Sequence, residues 1–539
     1  MTIRYQADII IIGAGLAGIC CALELLDSGK SILILDANPS EKFGGLANNA
    51  FGGMLFNQTQ EQKRLFVKDS PDLMLADWLR AAEFSDDHYW QRQWAEAYVN
   101  RSTEEVYRWL KTKGISFFNV VQWVERGDFQ PGNSVPRYHV AWGCGNGVVQ
   151  TLIGHLKNHQ NFNNCQIEFA HRVTQFEIQN RHLIGCIGEN NSSQHAGEFR
   201  AEGEHCVVAC GGINGNLQRV RKEWDPIYGQ PPANLLNGSH PVCDGSLHDQ
   251  IDAIGGKVSN LNWMWNYAAG IANPEPQFAQ DGLALIPPRS SLWMDCHGRR
   301  VGPDPMIGSY DTHRLCKRLG HLPSQYGWLI LNWKIAIKEM AISGSDMNPH
   351  FRDKKLLKIL WGLVTGNHQL VQWMIDQCPD VVAGDSLSAL ALEMKRVAPD
   401  VRIDLAGMSE DIHRYDALIK QSRTYQIDEQ IRRIEQARRW IGDRSRTCKF
   451  QPIDDPKAYP LIAIRTRLIS RKSMGGVETD LHARVLSRPG EPIKGLYAIG
   501  EAAGFGGGGI SGIRSLEGTF MSNCIFNGRI AAKYIAEYA

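Results

Sequence analysis

The chain has 539 residues, 43% hydrophobic and 21% charged, with a formal net charge of +1. That length exceeds one ordinary hydrophobic core, so two or more compact units are expected. The near-neutral balance supplies no field for a polyanion and argues against a nucleic-acid binder, although a local arginine pair could still hold a small acid. Thirteen cysteines without CxxC or CxxCH spacing leave structural zinc, c-type haem and iron–sulfur ligation unsupported, and suit a reducing compartment.

In chain order, the first strand begins near Ala7, so no signal peptide is expected. No apolar run approaches the roughly 18 residues that span a bilayer, and the chain reads as cytoplasmic. Asp8 to Ile12 is an apolar β-branched run ending in Gly13-Ala14-Gly15-Leu16-Ala17-Gly18. A helical pattern follows to Leu26, then Gly29, then a strand from Ser31 to Leu35 closing on Asp36. This is a complete β–turn–α–β unit. From Leu73 to Lys113 the pattern is helical, and Ser102-Thr103-Glu104-Glu105 reads as a capping box opening a helix that ends at Gly114. Short alternating strands are expected at 166–169, 171–178, 183–187 and 205–210, and a helix after Asp244-Gly245.

From about Leu261 the character changes to Pro-containing loops and charged helices such as Gln426–Trp440. The apolar stretch 356–364 reads as a buried helix in preference to a membrane-surface contact. Strand patterning and glycine clusters return from Leu461 to Gly509, and a last helix is expected from about Gly518 to Tyr538. The economical division is a discontinuous domain, 1–260 plus 455–539, interrupted by a second over 261–454.

The chemistry starts at Gly13, Gly15 and Gly18. The first permits the tight turn, the second lets backbone meet a pyrophosphate, and the third lets helix pack on strand, with the helix N-terminus aimed at the diphosphate. Asp36, at a strand end, is placed to bond ribose hydroxyls. The fingerprint alone does not separate FAD from NAD. Further clusters favour FAD: Gly44-Gly45 and Gly52-Gly53 soon after the acid, Val208-Ala209-Cys210-Gly211-Gly212, and a strand ending in Gly500-Glu501. A single acid-followed fingerprint leaves no built-in NAD(P)H site, so the redox partner is an external electron acceptor or donor.

With these segments, Gly132 to His139, Met474-Gly475-Gly476-Val477-Glu478-Thr479-Asp480 and Gly506–Gly509 running to Leu516-Glu517-Gly518-Thr519-Phe520, the chain resembles the flavoprotein superfamily of fumarate reductase, succinate dehydrogenase flavoprotein subunit and 3-ketosteroid Δ1-dehydrogenase. The resemblance implies an α/β fold: a Rossmann-like FAD-binding domain, discontinuous, with an inserted mixed α+β capping domain. It implies a cofactor shell of Gly13, Ala14, Gly15, Leu16, Ala17, Gly18, Asp36, Ala37, Gly44, Gly45, Leu46, Ala47, Gly53, Val173, Cys210, Gly211, Gly212, Gly500, Glu501, Leu516, Gly518 and Thr519. Val173 would pair its backbone with adenine, and Gly518 to Phe520 would bring a helix end to the flavin. Succinate dehydrogenase-like members tether flavin through a histidine after the ribose acid; here the first histidine is His88, so non-covalent FAD is expected.

Departures narrow the substrate. Ser511 stands where fumarate reductases place a histidine, Arg514 is offset by one from their arginine, and no tyrosine lies between Tyr497 and Tyr534, where the steroid enzymes use one. Arg514, Arg467 and Tyr138 are the candidates for polarising or orienting substrate, each also open to a structural reading. Trp263, Trp265 and Tyr267 alternate as on a strand and could line a pocket mouth or pack a domain seam. The expected activity is hydride transfer between flavin N5 and a CH–CH or C=C bond of a small, apolar, ketosteroid-like carbonyl compound. The alternatives are a fumarate reductase-like reductase of an unsaturated acid, or a flavin-binding tRNA-modifying or electron-carrier protein. No metal is expected, and a homo-oligomer is left open.

Overall fold

Ile9–Ile12, four consecutive isoleucines, form a strand buried on both faces. Stiff β-branched side chains favour the extended backbone, and a run without polar alternation demands cover above and below. The structure, a computed structural model describing residues 3–179, 182–192, 196–421 and 425–538, supplies that cover in a mixed α/β fold. The strand sits centrally in a ten-stranded sheet. Pro492–Ala498, His205–Val208, Ile9–Ile12, Ile32–Asp36 and Cys165–Phe169 run parallel in that order. Helices Leu16–Leu25 and Thr519–Tyr538 pack together against it. An antiparallel excursion of His171–Gln179, His182–Asn190 and Gly197–Glu202 extends one side.

A second, eight-stranded sheet is built around the long strand Leu461–Ser473. Its flanks are Tyr326–Asn332 and Met264–Ala272, both antiparallel to it. Leu236–Asn237 and Val381–Gly384 also pair with that strand. Cross-strand pairing keeps residues 461–473 in the second sheet, and the chain re-enters the first only at Arg484–Leu486.

Two local expectations are corrected. Ser102 does not open a helix: it lies buried inside a continuous helical segment from Tyr89, with a π-turn over Thr103–Arg108 and no side-chain cap. Burial of its neighbours Tyr98, Val99 and Val106 holds the segment together, and tertiary packing overrides the cap signal. The second correction concerns Leu356–Thr365, which is helical as expected but buries only Ile359. Gly114 does end its helix, in the left-handed conformation at φ +81°.

Candidate active site

The parallel strands end together, and the loops beyond Ile12, Asp36, Val208 and Ala498 border a cleft. Ligands of open α/β sheets bind outside the carboxyl ends of the strands. At the fingerprint, Gly13 takes φ +113°, and a Cβ there would stand 2.4 Å from the Ala209 carbonyl oxygen. The turn is thus wedged between two strand ends. Helix Leu16–Leu25 starts without a side-chain cap, so its first-turn amides remain available to an anion. Gly15 opens onto free space. Asp36 accepts hydrogen bonds from the amides of Ala14 at 2.6 Å and Asn38 at 2.7 Å, and still lines the cleft.

Of the residues expected around the cofactor, Gly13, Gly15, Leu16, Ala17, Asp36, Ala37, Gly44, Gly45, Leu46, Ala47 and Gly53 line this cleft. Val173, Cys210, Gly211, Gly212, Gly500 and Glu501 do so from other segments. Ala14 contributes through Asp36, and Gly18 packs against the Gly13 backbone. Leu516, Gly518 and Thr519 do not line it. Leu516 and Thr519 are buried, and Thr519 Oγ1 bonds Ser515 Oγ at 3.1 Å. The same segment instead presents Glu517, from the turn before the helix, and Phe520, Met521 and Cys524 from the first turns of Thr519–Tyr538, the last three on one helix face.

A second cavity adjoins the first. Phe51, Tyr138, Tyr267, Ser343 and Glu517 line both. Tyr138 reaches the junction because Gly53 has no side chain; a Cβ there would overlap the phenol ring, 1.9 Å from its oxygen. The Tyr138 hydroxyl makes no hydrogen bond with a described residue. Tyr267 and Trp265 donate to the Glu517 carboxylate at 2.9 and 2.6 Å. Burial first, then Glu517, pushes the Tyr267 phenol well above its ordinary range. Burial likewise raises Tyr138, with Glu517 adding to it. Trp265 and Tyr267 of the alternating run thus meet at Glu517, and Tyr267 alone of the three lines the junction.

The rest of the second cavity combines an apolar wall of Val124, Val140, Ala284, Leu285, Ile286 and two prolines with polar and charged residues, among them Gln122, Glu125, Arg289, Glu339 and Asp443. Its charged groups include Arg446, whose guanidinium makes no hydrogen bond or ion pair with a described residue and interacts electrostatically with Tyr138 and Glu339. Sequence reasoning left Tyr267 between a pocket mouth and a domain seam, quoted Glu517 within its motif without a role, and gave Arg446 no place in the site. In the cleft it also missed Lys472, whose ammonium lies 4.4 Å from the Phe520 ring centre. Burial lowers the Lys472 pKa and raises that of Glu501, as a dry cleft disfavours both charges.

The two arginine candidates lie outside both cavities. Arg467, with Arg465, is ion-paired to the fully buried Asp380. Arg514 is buried and donates to Gln130 Oε1 and the Pro131 carbonyl, with Asp311 at 3.7 Å. Both guanidiniums are held by partners in the fold itself.

Glu125, buried in the second cavity's wall, has its carboxyl pushed up to about 8 by burial and then by Asp311. The unfolded chain loses this proton first. The carboxyl's contribution to stability is therefore complete below its ordinary value of 4.5 and falls away as pH rises through about 8. The slope reaches about 1.4 kcal/mol per pH unit at most. Glu125→Gln should flatten this dependence, gaining stability over the parent on the alkaline side, as thermal melts on either side of the window would show.

This fold and this cleft define a dinucleotide-binding flavoprotein. A model of the FAD binding domain family matches residues 8–521, and the chain belongs to that family. It is an FAD-dependent oxidoreductase. It is similar to the KsdD-like steroid dehydrogenase of Mycobacterium tuberculosis, with 38% identity over 98% of this chain and 96% of that one. It is also similar to the fumarate reductase (cytochrome) of Shewanella frigidimarina, at 21% identity over 99% of this chain and 77% of the relative. In fold it resembles the 3-ketosteroid Δ1-dehydrogenase of Sterolibacterium denitrificans in complex with 1,4-androstadiene-3,17-dione. That likeness has a TM-score of 0.71 at 15% identity and covers 99% of this chain and all of the other.

Proposed function

We propose that this enzyme dehydrogenates a CH–CH bond next to a ketone in an apolar, ketosteroid-like compound. The observation that carries the reading is the second cavity, with its apolar wall of Val124, Val140, Ala284, Leu285 and Ile286, meeting the cofactor cleft at Tyr138, Tyr267 and Glu517. The ten-stranded sheet acts as a Rossmann-like FAD domain, and the second sheet with its helices as a cap that closes the substrate chamber. Gly13, Gly15 and the first helix turn would seat the pyrophosphate, Asp36 the ribose, and the Val173 strand the adenine. Glu501 and the face formed by Phe520, Met521 and Cys524 would border the ribityl chain and ring. Of the cleft's histidines, His171 lies beside Val173, and His240 is electrostatically close to Asp36. Both belong to the adenosine end, which supports non-covalent attachment.

When bound, FAD supplies the two-electron acceptor, taking up a hydride at N5. The protein's own groups handle the rest. Arg446 and the Tyr138 hydroxyl would polarise the substrate carbonyl and so acidify the neighbouring C–H. Tyr267 would take the proton from that carbon while passing its own to Glu517, already its hydrogen-bond acceptor. The apolar walls exclude water from the exchange. Reduction of an unsaturated acid is a second reading, favoured by one feature: the unpaired Arg446 could equally hold a carboxylate. Anaerobic bleaching of the flavin's visible band against ketosteroids, and reoxidation of the reduced enzyme by unsaturated acids, decides between them. Bleaching by a ketosteroid is expected; reoxidation by the acids alone would replace this reading, and silence in both arms would sink it.

A further inference from the structure

The helix Leu356–Thr365 presents an apolar face to the outside. Leu357 is 82% exposed, Trp361 70% and Val364 83%, and Leu356 and Leu360 are each about half exposed. These positions recur at intervals of four, so they form one stripe along the helix. Single exposed leucines are unremarkable, but a contiguous apolar stripe on an otherwise polar surface marks a place of contact.

The surrounding charge says what kind of contact. Residues 346–376 contain four basic side chains, Arg352, Lys354, Lys355 and Lys358, against three acids, Asp346, Asp353 and Asp376. Arg352 is paired with Asp353 at 2.9 Å and Asp346 at 3.5 Å, and Lys355 with Asp353 at 3.0 Å. Lys354 and Lys358 are exposed. Lys338 reaches the same surface, donating to the Leu363 carbonyl at 2.6 Å. Leucine and tryptophan on one face with lysines at its edge are the features of a helix lying in the interface of an anionic bilayer. A second copy of the chain fits less well, because a two-fold contact would set the same lysines against each other.

The stripe is also tied to the substrate chamber. Ser343 lines both cavities, and Ser345 bonds the Asn48 and Asn49 carbonyls at 2.6 and 3.0 Å. Phe351 packs against Phe51, a junction residue, at 5.7 Å between ring centres. The segment from 343 to 351 thus runs from the chamber rim to the start of the exposed helix. Among the described residues no helix is long and apolar enough to cross a membrane, so contact here would be peripheral.

We propose that Leu356–Thr365 is a lipid-docking helix that seats the enzyme on an anionic membrane surface, with the chamber rim beside the bilayer in which apolar molecules dissolve. The inference stands whatever compound is oxidised. Sedimentation of the yellow holoenzyme with vesicles tests it, using phosphatidylcholine alone and an equal mixture with phosphatidylglycerol. Binding to the mixed vesicles is expected. It should weaken by at least about tenfold in L357Q/W361Q/V364Q, as three apolar side chains lose their place in the interface. It should weaken by about fivefold per charge removed in K354Q/K358Q. Flavin content and the bleaching rate with dissolved substrate should match the parent in both variants, showing an intact fold. Holoenzyme left in the supernatant with mixed vesicles would overturn the proposal, as would an apolar-stripe variant that binds like the parent. A parent dimer that avoids vesicles and becomes monomeric in the stripe variant would assign the stripe to self-association instead.

Discussion

Gly13→Ala is expected to yield a colourless protein. The new methyl group would lie 2.4 Å from the Ala209 carbonyl oxygen and 2.8 Å from its carbon, both main-chain atoms at a strand end. Neither can rotate away as a side chain would. The residue must also keep φ +113°, where an L-residue is strained by a further ~1–2 kcal/mol. Relief would come from opening the turn that aims the first helix's amides at the pyrophosphate. Flavin affinity should fall at least about 100-fold, or about 3 kcal/mol. Titration with FAD measures this, and circular dichroism with a thermal melt checks the fold. Gly29→Ala is the control. Gly29 is also left-handed, at φ +76°, but its Cβ would meet nothing within 4 Å. It should cost about 1 kcal/mol of stability and leave the protein yellow. If Gly13→Ala binds flavin like the parent, the first turn is not the phosphate seat.

Tyr267→Phe should slow substrate-dependent flavin bleaching by about 10²–10⁴-fold, the usual worth of a positioned acid or base. The ring remains to fill its place, so flavin content and fold should persist. Only the hydroxyl between the chamber and Glu517 is lost. Glu517→Gln should share the defect, since an amide accepts the proton poorly, and the double variant should be little worse than either single one because both act in one relay. Tyr138→Phe removes the hydroxyl near Arg446 and should act on the rate more than on substrate affinity, about 10²-fold. Stopped-flow bleaching at saturating ketosteroid separates rate from affinity. Parent-like bleaching in both tyrosine variants would move the proton chemistry elsewhere in the chamber.

The fingerprint half of the site was legible in the sequence because its physics is local. A turn, a helix start and a strand-end acid all fall between Ile9 and Asp36, and each residue's role follows from its neighbours. The other half was not. Tyr267 and Glu517 are 250 positions apart, and only the pairing of Met264–Ala272 with Leu461–Ser473 and the placing of the last helix bring them together. Arg467 and Arg514 looked available because a sequence displays a cation without its partner. Asp380 and Gln130 are distant in the chain.

The apolar stretch from Leu356 shows the same limit from the other side. Its hydrophobicity and spacing determined that it would be a helix, but hydrophobic nearly all round it carries no mark of which face meets the protein. That depends on which neighbours the fold supplies, and of this helix the fold fully buries Ile359 alone. By itself the sequence determined the dinucleotide turn, the acid beside it and the α/β pattern, because short-range backbone geometry and periodicity suffice for those. Only the tertiary structure decided which tyrosines share a chamber, which charges are already paired and which apolar face stays outside, since burial and pairing belong to residues brought together from afar.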